Sequence, residues 1–297
     1  MADGPIPVLI NPDSGSAKEV REALLGDARF ALEDTHPAQL VARLEVLVSS
    51  GVKRVAVSGG DGSIAAAASV LAGTRVELAV IPGGTLNHFA RDHRIPTDPR
   101  DAADVAATGV CHEVDVGDVN GRVFLNTSSV GAYVTFVRVR ERFERWRVGY
   151  RVATVLAAIR IFFRLPRFQV HLEAEGEERS YRACLLFVGV DERSLDAPAV
   201  GGRAENGRRG LHVFVVRNAA PARLLAFALA AAFRGLRRRS EHVESFLVER
   251  CRIELPRARG RVATDGEIAI ADAPLRYTLK RSALRLVEPE RGEPEGR

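Results

Sequence analysis

Cysteine is scarce in this 297-residue chain, which holds three. Cys111, Cys184 and Cys251 lie far apart, form no CxxC pair and are odd in number. That argues against a disulfide framework and against a structural zinc site, and makes a reducing compartment the plain expectation. Aromatics make up 6% of residues, with a single Trp, too few for obvious base-stacking platforms. No recognised nucleic-acid motif is present either, so no nucleic-acid partner is expected. Long apolar runs are missing: the longest uncharged one in the C-terminal half, Leu224 to Phe233, falls short of the ~20 residues of a spanning helix. The start, MADGPIPVLINP, has no basic stretch followed by an apolar one, so no signal peptide is expected. A soluble or peripheral protein follows. Lysine is nearly absent: three of the 43 basic residues (Lys18, Lys53, Lys280) are lysine and the rest arginine.

The arginines are unevenly placed. The net charge is +5, yet residues 138–167 carry +7, residues 217–239 carry +6, and the remainder is −8. Both basic segments show helical apolar spacing: Val152, Val155, Leu156, Ile159 and Phe163 in one, Leu225, Leu229, Phe233 and Leu236 in the other. Such helices either pack on a core with their arginines in water, or meet an anionic bilayer, where each basic residue contributes ~1 kcal/mol.

Along the first third, strand, polar loop and helix recur. Pro7–Ile10 runs into Asn11-Pro12-Asp13-Ser14-Gly15, and a helical pattern follows through Ala38–Ser50. Val52–Val57 closes on Ser58-Gly59-Gly60-Asp61-Gly62-Ser63, followed by a helix over Ile64–Leu71. Val76–Ile81 closes on Pro82-Gly83-Gly84-Thr85, followed by a helix over Leu86–Asp92. This repetition predicts a parallel α/β sheet, whose ligands bind beyond the carboxyl ends of the strands, where all three loops fall. After residue 114, short alternating runs predict an antiparallel β domain interrupted by the two basic helices: Val114–Val119, Val123–Asn126, Phe168–Glu173, Ala183–Val190, Leu211–Val216, Val243–Val248, Arg252–Leu255 and Glu267–Ile270. The predicted division is 1–114 for the α/β domain and 115–274 for the β domain, with a strand near 275–287 returning to the first. Residues 288–297 form a charged, disordered tail.

The SGGDGS loop is the sharpest local signal. Its glycines let the backbone approach a ligand and its N–H groups converge, while a helix N-terminus adds positive potential, a combination suited to phosphate. It is neither a Walker A loop nor a GxGxxG fingerprint. Asp61 within it could hold a metal or act as a base; an ordinary Asp-Gly turn is the competing reading. Asn11–Gly15 alone reads as a routine turn, Thr85 as a cap for the next helix, and Thr264-Asp265-Gly266-Glu267 as a turn whose two acids alternate around a glycine.

Taken together and in order, NPDSG, SGGDGS, PGGTLNHFARD and TDGE resemble the diacylglycerol kinase catalytic-domain family, which includes bacterial lipid kinases and sphingosine and ceramide kinases. The resemblance runs from Val8 to about Val287. GGDG alone is shared with NAD kinases and phosphofructokinases, in which NPxSG and DGE are not expected. Val114-Asp115-Val116-Gly117, Phe124-Leu125-Asn126 and Gly131 resemble the start of the family's second domain.

The resemblance implies a Rossmann-like α/β domain (of the NAD kinase and diacylglycerol kinase kind) followed by an antiparallel β-sandwich, with ATP in the cleft. It implies that Asn11, Pro12, Asp13, Ser14 and Gly15 line the adenine and phosphate end, with Thr35 a further nucleotide contact. Gly59, Gly60, Asp61, Gly62 and Ser63 would hold the triphosphate, and Gly84, Thr85 and Asn87 would close the site. Asp265 and Glu267 match the family's catalytic acids, and one of them, or Asp61, would take the proton of a lipid hydroxyl. Mg²⁺ on the phosphates is required by the chemistry. The implied partners are a membrane lipid substrate, an anionic membrane surface at the cytoplasmic face and, as in many members, a second copy of the chain. Residues 133–165 are the candidates to line an apolar lipid cleft. Three departures stand out: Ser63 replaces threonine, His88 replaces an aspartate, and Asn206 stands where the family carries the aspartate of a structural Mg²⁺ site. A kinase of a soluble metabolite and a nucleotide-binding regulator without catalysis are the alternatives.

Overall fold

The computed structural model describes residues 4–131, 134–135, 168–174, 176–194, 202–204, 207–217, 239–240, 243–255 and 257–290. The basic helices expected within 138–167 and 217–239, the apolar lining of 133–165, Asn206 and the tail from residue 291 lie outside these, apart from scattered residues. The chain divides into two compact units, Met1–Val116 with Lys280–Arg297, and Gly117–Leu279.

Unit 1 holds the parallel sheet. Strands β1 (Ile6–Ile10), β2 (Phe30–Asp34), β3 (Arg54–Gly59) and β4 (Glu77–Pro82) alternate with helices α1 (Ala17–Leu24), α2 (Pro37–Ser49) and α3 (Asp61–Leu71). After β4 come the short helix α4 (His88–Asp92) and then α5 (Pro99–Thr108). The parallel order is β2-β1-β3-β4, and it continues into the end of the last strand, β16 (Leu275–Glu288), through Arg285↔Glu77 and Leu286↔Leu78. Apolar side chains of the strands (Val8, Ile10, Ala56, Ala79, Ile81) bury against Val20 and Leu24 of α1 and the alanines of α5. Those alanines allow α5 to pack closely, and Asp98 caps it by accepting the Arg100 and Asp101 N–H groups.

Two expectations are corrected here. A strand, β2, interrupts what reads as continuous helical pattern after Gly15; it is a mostly exposed edge strand with a single buried residue, Phe30, so no alternation marks it. The expected tail does not begin at Glu288: that residue ends β16, is buried, and its carboxylate meets His93 Nδ1 at 2.6 Å.

The strand pairs described within unit 2 are antiparallel. Strand β5 (Val110–Val119) leads into it, followed by β6 (Arg122–Phe124), β7 (Thr127–Gly131), β8 (Phe168–Ala174), β9 (Glu177–Val190) and β10 (Leu211–Arg217). Then come β11 (Arg239–Ser240), β12 (Val243–Val248), β13 (Arg250–Glu254), β14 (Arg259–Thr264) and β15 (Glu267–Asp272). The long β9 belongs to two ladders. Its first half pairs β8, which pairs β13 and then β16; its second half lies between β10 and β7, and β7 continues to the β14–β15 hairpin. Inward residues of both ladders (Val130, Leu172, Leu186, Val188, Val213, Ile253, Val262, Tyr277) form one core, as in a β-sandwich. Among the described residues no helix is long and apolar enough to cross a membrane.

Candidate active site

The register of the parallel sheet sets the site. Ile10 pairs with Asp34 and with Ser58, and Gly59 with Pro82. Asn11, Thr35, Gly60 and Gly83 therefore all lie just past the carboxyl ends of neighbouring strands. Three loops meet there. The Gly83 N–H donates to the Gly59 carbonyl at 2.8 Å, and the Asn11 N–H to the Ser58 carbonyl at 2.9 Å. A Cβ at Gly84 would lie 2.6 Å from Gly60 Cα, and one at Gly83 would lie 3.1 Å from Ser14 Oγ. The glycines are thus needed for the approach of one loop to another, and at Gly59 a Cβ would fall 2.6 Å from Ser63 Oγ.

Asn87, at φ 49°, closes the third loop on itself: its Oδ1 accepts the Gly84 N–H at 3.0 Å and its Nδ2 donates to the Gly84 carbonyl at 2.8 Å. Thr85 is exposed and does not cap α4. That task falls to Asp61 at the start of α3, whose two carboxylate oxygens accept the N–H groups of His88 and Phe89, each at 3.2 Å. The Asp61 carboxylate therefore ties the second loop to the third. Helix α3 itself carries no side-chain cap, so its first N–H groups and positive end stand open to an anion.

Three hydroxyls of this region, Ser14 Oγ, Thr35 Oγ1 and Ser58 Oγ, are buried and find no hydrogen-bond partner among the described residues. An unpaired buried hydroxyl costs ~1–3 kcal/mol, so this end of the sheet holds hydrogen-bonding capacity that the protein does not use internally. Donors of this kind, with glycine backbone and an uncapped helix start, fit a nucleotide's phosphates. On the first loop, Asn11 Oδ1 accepts the Asp13 N–H at 3.0 Å, and Asp13 meets His36 at 3.3 Å. Gly15 is exposed in open space.

The two acids of the TDGE turn lie in unit 2 and have different surroundings. Asp265 and Gly266 have φ of 48° and 88°, the paired positive values of a two-residue hairpin turn between β14 and β15. The Asp265 carboxylate accepts three backbone N–H groups, Leu125 at 2.7 Å, Asn126 at 2.8 Å and Thr127 at 3.0 Å, which leaves Oδ2 with one bond only. Burial pushes this carboxyl above the ordinary carboxylate value, against those three donors and the charge of Arg193. Glu267 is 61% exposed and pairs with Arg122 at 3.2 Å.

Sequence reasoning did not single out Ser58, Arg122 or Arg193. The last had a signal: Asp191-Glu192-Arg193 are three charged residues directly after the apolar run that ends β9, and all three are buried. Among the described residues no group of three or more His, Cys, Asp or Glu converges on one point.

Residues 5–119, which hold all three glycine-containing loops, match the family model of the diacylglycerol kinase catalytic domain. A diacylglycerol kinase of Mycobacterium tuberculosis is 27% identical over 303 residues, spanning 97% of this chain and 96% of the relative. One of Staphylococcus aureus is 27% identical over 195 residues, or 62% of this chain and 61% of the relative. The solved structure of a diacylglycerol kinase from Bacillus anthracis shares the fold at TM-score 0.71 and 19% identity, covering 98% of each chain. A second structure from that organism does so at TM-score 0.75 and 21% identity, covering 98% of this chain and 99% of the other. Residues 5–119, with all three loops, are thus similar to the diacylglycerol kinase catalytic domain, and the fold of both units is similar to that of solved diacylglycerol kinases.

Proposed function

We propose that the protein is an ATP-dependent lipid kinase that transfers the γ-phosphoryl group to the hydroxyl of a membrane lipid such as diacylglycerol. The observation that carries this reading is the meeting of the NPDSG, SGGDGS and PGGTLN loops at the carboxyl end of the unit 1 sheet, with buried hydroxyls left unpaired there. Asn11, Ser14, Thr35, Gly59, Gly60, Gly62, Ser63, Gly84 and the first turn of α3 would bind the nucleotide. Asp61 and Asn87 would hold the loops in the shape it needs. Magnesium bound to the phosphates would neutralise charge on the transferred group. It is characteristically held by one or two carboxylates plus substrate oxygens rather than by a protein cage, and Asp61 is the carboxylate of the SGGDGS loop.

The acceptor hydroxyl must lose its proton as it attacks phosphorus. Asp265 suits that task, because Oδ2 keeps a free lone pair and burial raises its basicity. Glu267 would accept a hydrogen bond from the incoming alcohol and orient it. The chain would act at the cytoplasmic face of an anionic membrane. Incubation with labelled ATP, Mg²⁺ and diacylglycerol in anionic mixed micelles tests this reading. Labelled phosphatidic acid should form with the native chain and fall at least a hundredfold with Asp265→Asn and Glu267→Ala. Undiminished product from both variants would remove the two acids from the chemistry, and label appearing only in a water-soluble product would replace the lipid by a soluble acceptor.

A further inference from the structure

Beside Asp265 in unit 2 lies a buried guanidinium that the proposed chemistry has not used. Arg193, 4% exposed, follows Asp191 and Glu192 just past the end of β9. Its Nη2 donates to the Asn126 carbonyl at 2.8 Å, an oxygen that also takes the Val190 N–H at 3.0 Å. Its own N–H donates to Nδ1 of the buried His212 at 2.9 Å. Its aliphatic stem lies over Gly189, where a Cβ would fall 2.7 Å from Arg193 Cγ. Backbone, side-chain head and stem are thus each held, as a group with one required position would be.

The Asn126 carbonyl belongs to the same peptide group as the Thr127 N–H, which donates to Asp265 Oδ1. A cation on the oxygen of a peptide polarises it and strengthens the N–H on its other side. The Asp265 N–H returns a bond to the Thr127 carbonyl at 2.8 Å, closing a ring between the turn and the 125–127 segment. We propose that Arg193 is a positioning residue, which acts through the Asn126–Thr127 peptide to hold the Asp265 carboxylate ionised and aimed for proton transfer. This rests on the lipid kinase reading only for what the proton is taken from.

Among the described residues, several charged groups surround the arrangement. From the turn itself comes Glu267, paired with Arg122 of β6. From the segment after β9 come Asp191, paired with Arg203 at 2.5 Å, and Glu192, paired with Arg208 at 3.4 Å. From β10 comes His212, and the 125–127 segment brings no titratable side chain. The charge of Arg193 also lowers the Asp265 carboxyl, against the burial that raises it.

The decisive measurement is the ionisation of Asp265, followed as its ¹³C carboxyl signal in protein labelled at aspartate and assigned by its loss in Asp265→Asn. Arg193→Gln should raise the titration midpoint by about one pH unit, and Arg193→Lys, which keeps charge but not the planar fork, should raise it by less. In phosphoryl-transfer assays the acid limb of the pH–rate profile should move in the same sense. The KM for ATP should stay constant, and kcat should fall at least tenfold at neutral pH. In the Asp265→Asn background, Arg193→Gln should add almost nothing. If Arg193→Gln does not fold, Arg193→Lys carries the test. An unmoved midpoint in a folded variant overturns the proposal, and so does lost activity with an unmoved acid limb, which is what a merely structural residue produces. A midpoint that shifts in a protein that phosphorylates no lipid upholds the role of Arg193 and rejects the lipid kinase reading instead.

Discussion

Replacing Gly84 by alanine probes the geometry of the glycine loops most sharply. Gly84 does not have a positive φ, so the backbone alone would accept a side chain. What forbids one is Gly60: the new Cβ would stand 2.6 Å from Gly60 Cα and 2.9 Å from Asn87 Oδ1. Ordinary contact begins at 3.4 Å, so the second and third loops must part by about 0.8 Å in a region packed too tightly to absorb the change. That movement strains the Gly83–Gly59 bond and both Gly84–Asn87 bonds. Overpacking of this kind costs roughly 2 kcal/mol, which corresponds to a melting temperature about 4–8 °C lower. A displacement of order 1 Å in a positioning element costs roughly a hundredfold in rate. Gly60→Ala, whose Cβ would sit at 3.4 Å from Gly84, and Gly15→Ala, whose Cβ meets open space, should both melt close to the native chain. Scanning calorimetry of the three variants, with and without ATP, checks this. An unchanged melting temperature for Gly84→Ala, or equal losses in all three, would refute the reasoning.

Further perturbations test other parts of the account. Burial raises the Glu77 carboxyl, but Arg54 at 2.8 Å and Arg285 at 3.2 Å outweigh it and hold it below the ordinary 4.5. A depressed value means stability present above pH 4.5 and lost as the pH falls through the folded value. Glu77→Gln should cost about 3 kcal/mol at pH 7 by leaving Arg54 unpaired, and should flatten the acid side of a denaturation series against pH. Asp61→Ala should free the His88 and Phe89 N–H groups at about 1–3 kcal/mol, seen as faster amide exchange at those residues. Tyr277→Phe removes the buried hydroxyl 2.9 Å from Ser128 Oγ and should cost roughly 1–2 kcal/mol in urea unfolding, while the Tyr277→Phe, Ser128→Ala double variant recovers part of it.

The parts of this molecule that were legible in the sequence are those where local chemistry and fold agree. Strands β3 and β4 are buried apolar runs closed by glycine loops, and such runs can be read directly. Strand β2 could not be, because a solvated edge strand has no apolar period to show. Strand β7, Thr-Ser-Ser-Val-Gly, sits inside the sheet with Ser128 and Ser129 buried, and its polarity disguises it. Helix α5 carried an unread signal in Asp98-Pro99, a cap followed by proline at the first helical position. Within the site, spacing identified the residues but not their partners. Asp61 reads equally as base, ligand or turn residue, and only the fold shows its carboxylate bound to the amides of α4. Asp265 and Glu267 read as a pair, yet one is wrapped by backbone N–H groups and the other stands in solvent beside Arg122. Arg193 reaches Asp265 through a peptide 67 residues away in sequence, a relation that no local pattern records.

The central claim is that this chain phosphorylates a lipid hydroxyl from ATP. It is tested most directly by incubating the protein with ATP, Mg²⁺ and a total lipid extract and identifying by mass spectrometry every lipid that gains a phosphoryl group. The account predicts one class of lipid alcohol converted to its phosphate monoester, absent when ATP is withheld and absent with Asp265→Asn. A complete lack of phosphorylated lipid, with ATP still bound by the folded protein, would contradict it.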